Sequence, residues 1–401
     1  MSTPPSGPTS GLQRLELLDA LRGFALAGVL VANLEAFSLY YFVSDQVALT
    51  LPTLAFDRWL EPLGALLWGG KFISLFSIMF GIGFSLQMQR IGHDDGRRKY
   101  LRRLAVLFLL GLLHSLFWWG DILRWYAVAG LLLLPLAGMR PRNIAILGVL
   151  LSCAPNLPLA QWWPGGWPLA PHDQAFADAM AAFSSHRPGA WLSGNLAFDQ
   201  WWRQSQWSLA LTIPGRMLIG VALGSCGVFR NPQAHVRLWK WLLACLPVGF
   251  ALGLLMMASE YGRLTLPIST LALPHPIALM IALGYAALFV HLFQRPAWHR
   301  WLRHLAPVGR MALSNYLGHT LVGIAVFYGV GLGVGPRYGM IAVIGTWLAL
   351  FGAQVALSGW WLQRFRFGPA EWAWRSLTYG RRQPMRRLPD DEMAATLATR
   401  P

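Results

Sequence analysis

Charged residues are scarce in this sequence. Asp, Glu, Lys and Arg make up 12% of its 401 residues, hydrophobic residues make up 55%, and the mean hydropathy is +0.43. This composition is too apolar for a soluble protein of this length. Many runs of 18 or more apolar residues indicate a polytopic helical membrane protein instead. Short alternating strands are missing, which argues against a closed β-barrel, the other structure that satisfies backbone groups in lipid.

Cysteine is rare as well. Cys153, Cys226 and Cys245 lie in or beside apolar runs, without metal-ligand spacing or a disulfide framework, and we interpret them as buried thiols. The sequence also lacks a nucleotide-binding glycine fingerprint, an HExxH zinc motif and a GxSxG elbow. We therefore predict no metal site, and candidate functional groups must be sought among the polar residues of the apolar runs.

Basic residues outnumber acidic ones, 33 to 17, and the formal net charge is +16. They concentrate in the segments between apolar runs and in the tail, so membrane orientation explains them better than nucleic acid binding, and we predict no nucleic acid partner. One set of alternate loops, together with the two termini, holds 23 of the 33 Lys and Arg residues. Because basic loops stay inside, this set places both termini in the cytoplasm.

The predicted fold class is all-α, a polytopic transmembrane helical bundle of about ten spans (ten or eleven). We place the spans at 20–42, 71–89, 104–120, 122–138, 143–161, 206–228, 239–258, 270–293, 309–332 and 339–362. A further helix over Asp57–Trp68, ended by two glycines, is amphipathic or re-entrant. A disordered tail (1–14) precedes the single membrane domain (15–380), and a basic disordered tail (381–401) suited to anionic lipid follows it.

The longest external loop is 162–204. It is rich in Trp and Pro and contains a helix-like stretch around Asp173–Phe183. Aromatic anchoring at the membrane interface and a lid over a substrate are both open as explanations. We detect no internal repeat, so the inverted repeat of many transporters is not evident.

Polar side chains interrupt the first two spans. Asp19 and Arg22 are three residues apart and can pair, and Arg22 and Asn33, eleven apart, share one helix face. Lipid cannot satisfy these groups, so this face must point into the bundle. Lys71 opens the second span after two glycines, and it either snorkels or points inward.

The stretch 104–135 consists of two apolar helices joined at Gly120-Asp121. His114 and Asp121 are seven residues apart, so a helix that persists to the glycine places them on one face, roughly 10 Å apart along its axis. That separation predicts no direct hydrogen bond. A neutral histidine suits a general base, which the carboxylate would orient, while a packing role for His114 is the alternative.

The ninth span, in GRMALSNYLGHTL, carries Arg310, Asn315, Tyr316 and His319. Asn315 and His319 are one turn apart. Arg310 and Arg22 both lie near the cytoplasmic end, where they either hold phosphate groups or serve the structure. Glu371, just after the tenth span, is expected to pair with one of these arginines.

Four segments together resemble the YeiB-like bacterial inner-membrane proteins of uncharacterised domain family 418. They are LDALRGFALAGVLVANL, KFISLFSIMFGIG, HSLFWWGDILRWYAVAG, and GRMALSNYLGHTL with GPAEWAWRSLTYG. The resemblance covers residues 15–380 and implies a multi-pass protein of the bacterial inner membrane.

The first motif also resembles the start of membrane acyltransferases related to the lysosomal heparan-alpha-glucosaminide N-acetyltransferase. Those enzymes move an acetyl group from cytosolic acetyl-CoA to a sugar across the membrane. The resemblance implies that Asn33 matches an active-site asparagine. The catalytic histidine that follows in those enzymes has no counterpart here, because no histidine lies between Asn33 and His93. His114 is the candidate replacement.

We therefore favour a membrane acyltransferase with acyl-CoA or acetyl-CoA as cytoplasmic donor and a hydroxyl or amine of an envelope glycan, lipid or small metabolite as acceptor. The predicted roles are catalytic for His114, Asp121 and Asn33, donor-binding for Arg22, Arg310 and Lys71, and substrate-binding for Asp19, Asn315, Tyr316, His319 and Glu371. A transporter of a small polar solute and a structural bundle are the alternatives. The expected partners are the lipid bilayer and the substrate, and a homodimer is left open.

Overall fold

The computed structural model describes residues 11–90, 93–154, 170–260 and 273–387, and over these ranges the chain is built from α-helices joined by turns. The helices are α1 (Gly11–Phe37), α2 (Asp45–Ala48), α3 (Leu54–Leu67), α4 (Lys71–Arg90), α5 (His93–Ser115), α6 (Leu123–Leu136), α7 (Pro141–Ser152), α8 (His172–Phe183), α9 (Pro188–Ser205), α10 (Leu209–Ser225), α11 (Val236–Glu260), α12 (Pro274–Phe293), α13 (Pro296–Leu302), α14 (Ala306–Arg310), α15 (Ala312–Phe327), α16 (Gly339–Arg364) and α17 (Pro369–Tyr379). The all-α prediction is confirmed for these residues.

Over the described ranges, five helical segments are long and apolar enough to cross a membrane. They are Glu16–Phe37, Leu54–Gln89, Pro232–Ser259, Pro274–Phe293 and Gly339–Arg364. Helices α9 and α10 meet at 70° and would make a sixth span together, while α6, α7 and α15 are apolar but have only 10–17 residues. The chain is therefore a helical membrane protein, and the count of ten spans and the placement of the termini stay predictions.

Each of the ten predicted spans contains a helix, but some of these helices end at other residues than predicted. Helix α5 ends at Ser115, five residues before the predicted end, where Asn195 Nδ2 of α9 donates to the carbonyl oxygens of Ser115 (2.8 Å) and Leu116 (3.1 Å). These bonds satisfy carbonyls that a helix end leaves free. The predicted ninth span is interrupted at Met311, between α14 and α15.

The external loop is more ordered than its sequence pattern indicates. The helix-like stretch is present as α8, and α9 follows it, although no helix was predicted there. The Trp- and Pro-rich part, 155–169, lies outside the described residues. So do residues 1–10 and 388–401 of the two predicted tails, while residues 381–387 fold back on α16, with Arg387 N donating to Arg364 O at 3.2 Å.

Helix α1 lies at the centre of the bundle and packs against α4, α12, α14, α15 and α16. Leu21, Ala25, Leu30 and Leu34 on this helix are completely buried. A small residue allows the closest approach: a Cβ atom added at Gly309 of α14 would lie 1.8 Å from the Asp19 carbonyl oxygen. Backbone contacts of this kind fix α1 in the middle of the molecule, where it positions the polar side chains discussed next.

Candidate functional site

A chamber of about 1030 Å³ lies between the helices. Helix α1 lines it from Asp19 to Ala36, and the rest of its wall includes residues of α4, α5, α6, α9, α10, α12, α14, α15 and α17. The distance from Asp19 to Ala36 along a helix is about 26 Å, which is close to the ~30 Å thickness of the hydrocarbon core of a bilayer. The chamber therefore extends along the bundle axis.

One end of the chamber, which we call the basic end, is lined by Arg22, Lys99, Arg103, Arg310, Arg366 and Arg375. The lining carboxylates at this end are Asp19 and Glu371. Arg22 Nη1 donates to Asp19 Oδ1 at 2.7 Å, which confirms the predicted pair. The Arg103 guanidinium lies 4.3 Å from the centre of the Trp374 ring. Arg22, Arg103, Arg310 and Arg375 alone outnumber the two lining carboxylates, and this excess of positive charge favours a ligand that carries several phosphate groups.

Glu371 does not pair with an arginine in the part of the chain that the structure describes. Its Oε1 accepts hydrogen bonds from the backbone N–H of Leu313 (2.6 Å) and of Ser314 (3.1 Å), and its Oε2 accepts from the Ser314 hydroxyl at 2.5 Å. These donors are the free N–H groups at the start of α15, where a carboxylate is favoured. Burial raises the pKa of the Glu371 carboxyl, and these hydrogen bonds oppose the shift. The expected arginine pairing is therefore wrong.

The opposite end, which we call the aromatic end, contains Asn33, Glu35 and the rings of Tyr41, Trp68, Trp118, Trp119 and Trp202. Asn33 Nδ2 is buried and has no hydrogen-bond partner among the described residues. Glu35 Oε1 accepts from Trp68 Nε1 at 2.7 Å. Asn33 and Arg310 thus line one shared space, and the amide of Asn33 has a free donor for a ligand.

His114 and Asp121 are in direct contact, so the predicted separation of roughly 10 Å is wrong. His114 Nδ1 lies 2.9 Å from Asp121 Oδ1. The reason is that α5 ends one residue after His114, and the turn over 116–122 brings Asp121 back to the helix end. There the Asp121 carboxylate also accepts from the backbone N–H of Leu123 (3.2 Å) and of Arg124 (3.1 Å), which caps the start of α6.

Thr320 completes a hydrogen-bonded chain with this pair. His114 Nε2 lies 2.8 Å from Thr320 Oγ1. Because the carboxylate only accepts, the Nδ1 proton is directed to Asp121, and in the neutral ring Nε2 accepts from the Thr320 hydroxyl. These three residues are not among those that line the chamber. Tyr316 and Trp118 do line it, and their ring centres lie 5.1 and 5.7 Å from the centre of the His114 ring. His114 is therefore one side chain behind the chamber wall.

A cluster of ion pairs anchors the turn that carries Asp121. Arg124 Nε donates to Asp121 Oδ2 at 3.1 Å, and Arg124 Nη2 donates to Asp199 Oδ1 at 2.8 Å. Arg203 Nε donates to the same Asp199 oxygen at 3.0 Å. Asp199 and Arg203 belong to α9, which the sequence pattern did not predict. Nothing in their spacing to Asp121 indicated this contact.

The remaining predicted site residues lie outside the chamber wall. Lys71 Nζ donates to the Ala65 carbonyl oxygen at the end of α3. Asn315 Nδ2 donates to Ser358 Oγ of α16 at 3.0 Å, and His319 Nε2 lies 3.3 Å from Gln354 Oε1 of the same helix. Asn315 and His319 thus join α15 to α16, while Tyr316 on the same helix faces the chamber.

Sequence reasoning missed several further groups in the chamber wall. They include Arg103 and Arg375 at the basic end, and Glu35, Arg216 and His275 elsewhere in the wall. A usable signal existed for Arg216, because an arginine in the middle of an apolar span is rare and usually functional. Glu35 lies two residues after Asn33, near the end of the first predicted span. A carboxylate at that position can reach water, so its position did not indicate a role inside the bundle. His275 had no distinguishing neighbour in the sequence.

Comparisons with known proteins give one consistent assignment. Residues 223–381 match the family described as "Protein of unknown function (DUF418)". Uncharacterized protein YeiB of Escherichia coli (strain K12) is 31% identical over 92% of this chain and 97% of its own length. Uncharacterized protein YxaH of Bacillus subtilis (strain 168) is 30% identical over 94% of this chain and 97% of its own length.

A third relative, an uncharacterized 39.9 kDa protein of Bacillus acidopullulyticus, is 25% identical over 93% of this chain and 96% of its own length. No solved structure matches the chain. The two relatives at 30% identity or above extend over nearly the whole chain, well beyond the range of the family match. The chain therefore belongs to the YeiB-like DUF418 family of membrane proteins.

Proposed function

We propose that this protein is a membrane acyltransferase that moves an acyl group from acyl-CoA to a hydroxyl or amine of an envelope glycan, lipid or small metabolite. The observation that carries the proposal is the chamber, which has six cations at its basic end and an amide with a free donor, Asn33, toward its aromatic end. The likeness of the first span to membrane acetyltransferases supports the same reaction.

The basic end is the proposed site for the phosphates of the donor. In the orientation that the loop charges predict, this end faces the cytoplasm, where the donor would enter. Arg310 is exposed and has no ion-pair partner among the described residues, so its guanidinium is available to a phosphate. Arg22 lies beside it on α1, and Arg103 and Arg375 add positive charge.

The acyl carbonyl would lie near Asn33, whose Nδ2–H would stabilise the oxyanion that forms during transfer. The acceptor oxygen or nitrogen attacks the thioester carbon, a new C–O or C–N bond forms, and the C–S bond breaks. The acceptor gives its proton to a base, and the CoA sulfur leaves as a thiolate that takes up a proton. The step needs no oxidant or reductant.

Two groups are candidates for the base. Glu35 lines the chamber two residues from Asn33, and one of its carboxylate oxygens has no hydrogen-bond partner among the described residues. His114 is oriented by Asp121 but lies behind Trp118 and Tyr316. If His114 is the base, one of these rings moves when substrates bind. If Glu35 is the base, the His114–Asp121–Thr320 chain holds the wall in place.

Donor binding tests the proposal first. The purified protein in lipid nanodiscs is expected to bind tritiated acetyl-CoA in equilibrium dialysis. Arg310→Gln should weaken binding at least tenfold, a loss of about 1.4 kcal/mol. Arg142→Gln removes an exposed arginine outside the chamber and is the matched control. A wild-type protein that binds no acetyl-CoA would contradict the acyltransferase.

Transfer of the label identifies the base. Membranes from cells with wild-type protein should transfer labelled acetyl groups from acetyl-CoA to an envelope component, and Asn33→Ala should reduce the rate without loss of donor binding. Loss of transfer in Glu35→Gln but not in His114→Gln assigns the base to Glu35, and the reverse result assigns it to His114. Glu61→Gln, at an exposed site, is the control.

A carrier for a small polar solute is the second candidate, because the chamber is lined by polar groups along its length. Flux of a solute into proteoliposomes without any acyl donor, together with absence of acetyl-CoA binding, would favour the carrier. Flux that requires acyl-CoA would favour the enzyme.

A further inference from the structure

Arg216 is a buried arginine that has no counter-charge among the described residues. It lies in α10, is only 2% exposed and lines the chamber. Its Nε is buried and has no hydrogen-bond partner, and no carboxylate within the described ranges forms an ion pair with it. The titratable groups that interact with it are Tyr126, Cys153 and His275. These groups do not carry negative charge at neutral pH, so none compensates the guanidinium.

Two partly buried arginines of this protein have carboxylate partners. Arg124 is held by Asp121 and Asp199, and Arg203 is held by Asp199. A guanidinium stays protonated in proteins, and burying an ion without a partner is costly. The fold pairs Arg124 and Arg203 with carboxylates, but within the described ranges it leaves Arg216 unpaired beside a cavity. This contrast indicates that a ligand supplies the missing anion.

Arg216 is the cation that α10 contributes to the chamber wall, whereas the six cations of the basic end come from α1, α5, α14, α17 and the segment between α16 and α17. Leu209 precedes Arg216 by two helical turns, about 10 Å, and lines the chamber together with Ala278 of α12. A single guanidinium whose titratable neighbours carry no negative charge matches one carboxylate or phosphate group, which it can bind through two parallel hydrogen bonds. The several phosphates of a CoA donor match the six cations of the basic end instead.

We infer that Arg216 binds an acidic group, a carboxylate or a phosphate, of the molecule that the protein acylates. This inference rests on the proposed function, because it assigns the acceptor of that reaction to a class: the acceptor is anionic. The donor enters at the basic end, and the acceptor is held by its charge from the α10 side of the chamber.

The thermal stability of the protein without ligand tests whether Arg216 lacks a partner within the fold. Arg216→Gln in nanodiscs is expected to leave the midpoint of thermal unfolding unchanged or to raise it. Arg124→Gln, which removes a paired and partly buried arginine, should lower the midpoint, and Arg187→Gln at an exposed site should not change it. A fall for Arg216→Gln as large as that for Arg124→Gln would overturn the inference, because the fold itself would then hold the guanidinium.

Inorganic phosphate and acetate are the probes for the ligand class. Both are compared with chloride at equal ionic strength, and CoA is present to occupy the basic end. At least one probe should raise the unfolding midpoint of the wild type and of Arg187→Gln, and not that of Arg216→Gln. The larger shift identifies phosphate or carboxylate as the preferred group. No shift in the wild type, or equal shifts in the wild type and Arg216→Gln, would overturn the inference.

The charge of the acylated product tests this inference independently of the proposed function. After label transfer from acetyl-CoA in membranes, anion-exchange chromatography should recover the labelled product in the anionic fraction. Arg216→Gln should reduce that product at least tenfold with acetyl-CoA binding unchanged. Label confined to neutral products would overturn the anionic acceptor and leave acyl transfer standing. Absence of acetyl-CoA binding would overturn acyl transfer, whereas a probe shift that depends on Arg216 would still support the anion site.

Discussion

Two arginines of this protein differ in their roles, and so do two histidines. In each case the hydrogen-bond and ion-pair partners of the side chain determine the role. Arg124 is fixed between two carboxylates and anchors a turn, while Arg216 is buried and has no carboxylate partner in the part of the chain that the structure describes. His114 has hydrogen bonds at both ring nitrogens, while His319 has a partner at Nε2 and, among these same residues, none at Nδ1. These partners come from distant helices. A polar residue in an apolar run therefore indicates that its side chain needs a partner, but the sequence does not identify that partner.

Replacing Asp121 by asparagine tests the anchoring role at this scale. We expect a loss of about 3–5 kcal/mol in the free energy of unfolding, since Arg124 and the Nδ1 proton of His114 lose their carboxylate. The side-chain amide of the asparagine also brings an NH2 donor to a position where Arg124 and His114 are donors themselves. Denaturant unfolding of the detergent-solubilised protein measures the change.

Asp173→Asn is the control for that experiment, because the Asp173 side chain is fully exposed at 103%. Its effect should stay within about 0.5 kcal/mol. If the two substitutions had the same small effect, the cluster around Asp121 would not support the fold.

Glycine contacts determine how closely neighbouring helices pack. A Cβ atom at Gly81 of α4 would lie 1.8 Å from the Met217 carbonyl oxygen of α10, and one at Gly220 of α10 would lie 1.9 Å from the Ile78 carbonyl oxygen of α4. Backbone atoms cannot turn aside as a flexible side chain can. The two helices must therefore separate if either glycine gains a methyl group, and α10 carries Arg216 into the chamber wall.

Gly81→Ala is expected to destabilise the protein by about 1–3 kcal/mol through this overpacking. Gly83→Ala lies two residues later on the same helix, where an added Cβ meets nothing within 4 Å, so it should be neutral or stabilise by up to about 1 kcal/mol. The midpoint of thermal unfolding in nanodiscs compares the two. A Gly81→Ala protein as stable as Gly83→Ala would show that α4 and α10 do not pack this closely.

Helix ends were harder to predict than helices. Apolar length and composition located a helix at each predicted span, because burial in lipid requires these features of the segment itself. The end of α5 at Ser115 depends on Asn195, eighty positions away. This contact explains why the predicted separation of His114 and Asp121 was wrong, since a helix that continued to Gly120 would hold the two side chains apart.

The charge distribution of the whole molecule predicts its orientation. Arg97 lies near the start of α5, in a segment that the sequence predicts to be cytoplasmic, and Arg187 lies in the external segment between α8 and α9. Both are exposed. In a variant without the three native cysteines, Arg187→Cys should react with a membrane-impermeant maleimide in intact spheroplasts. Arg97→Cys should react only after the cells are permeabilised. Labelling of Arg97→Cys from outside would reverse the orientation and would place the donor site on the wrong side for cytoplasmic acyl-CoA.

The sequence alone was sufficient to determine the all-α membrane class, the family and the Asp19–Arg22 pair, because each depends on composition, on local spacing or on motifs that lie along the chain. It also identified Asn33, Arg310 and Tyr316, which all line the chamber. The tertiary structure decided which polar groups share that chamber: it moved His114 behind the wall, directed Asn315 and His319 to α16, and brought Glu35 and Arg216 into the wall. The physical reason is that hydrophobicity fixes which segments enter the membrane, whereas the rotation and contact of each helix depend on close packing with helices far away in the sequence.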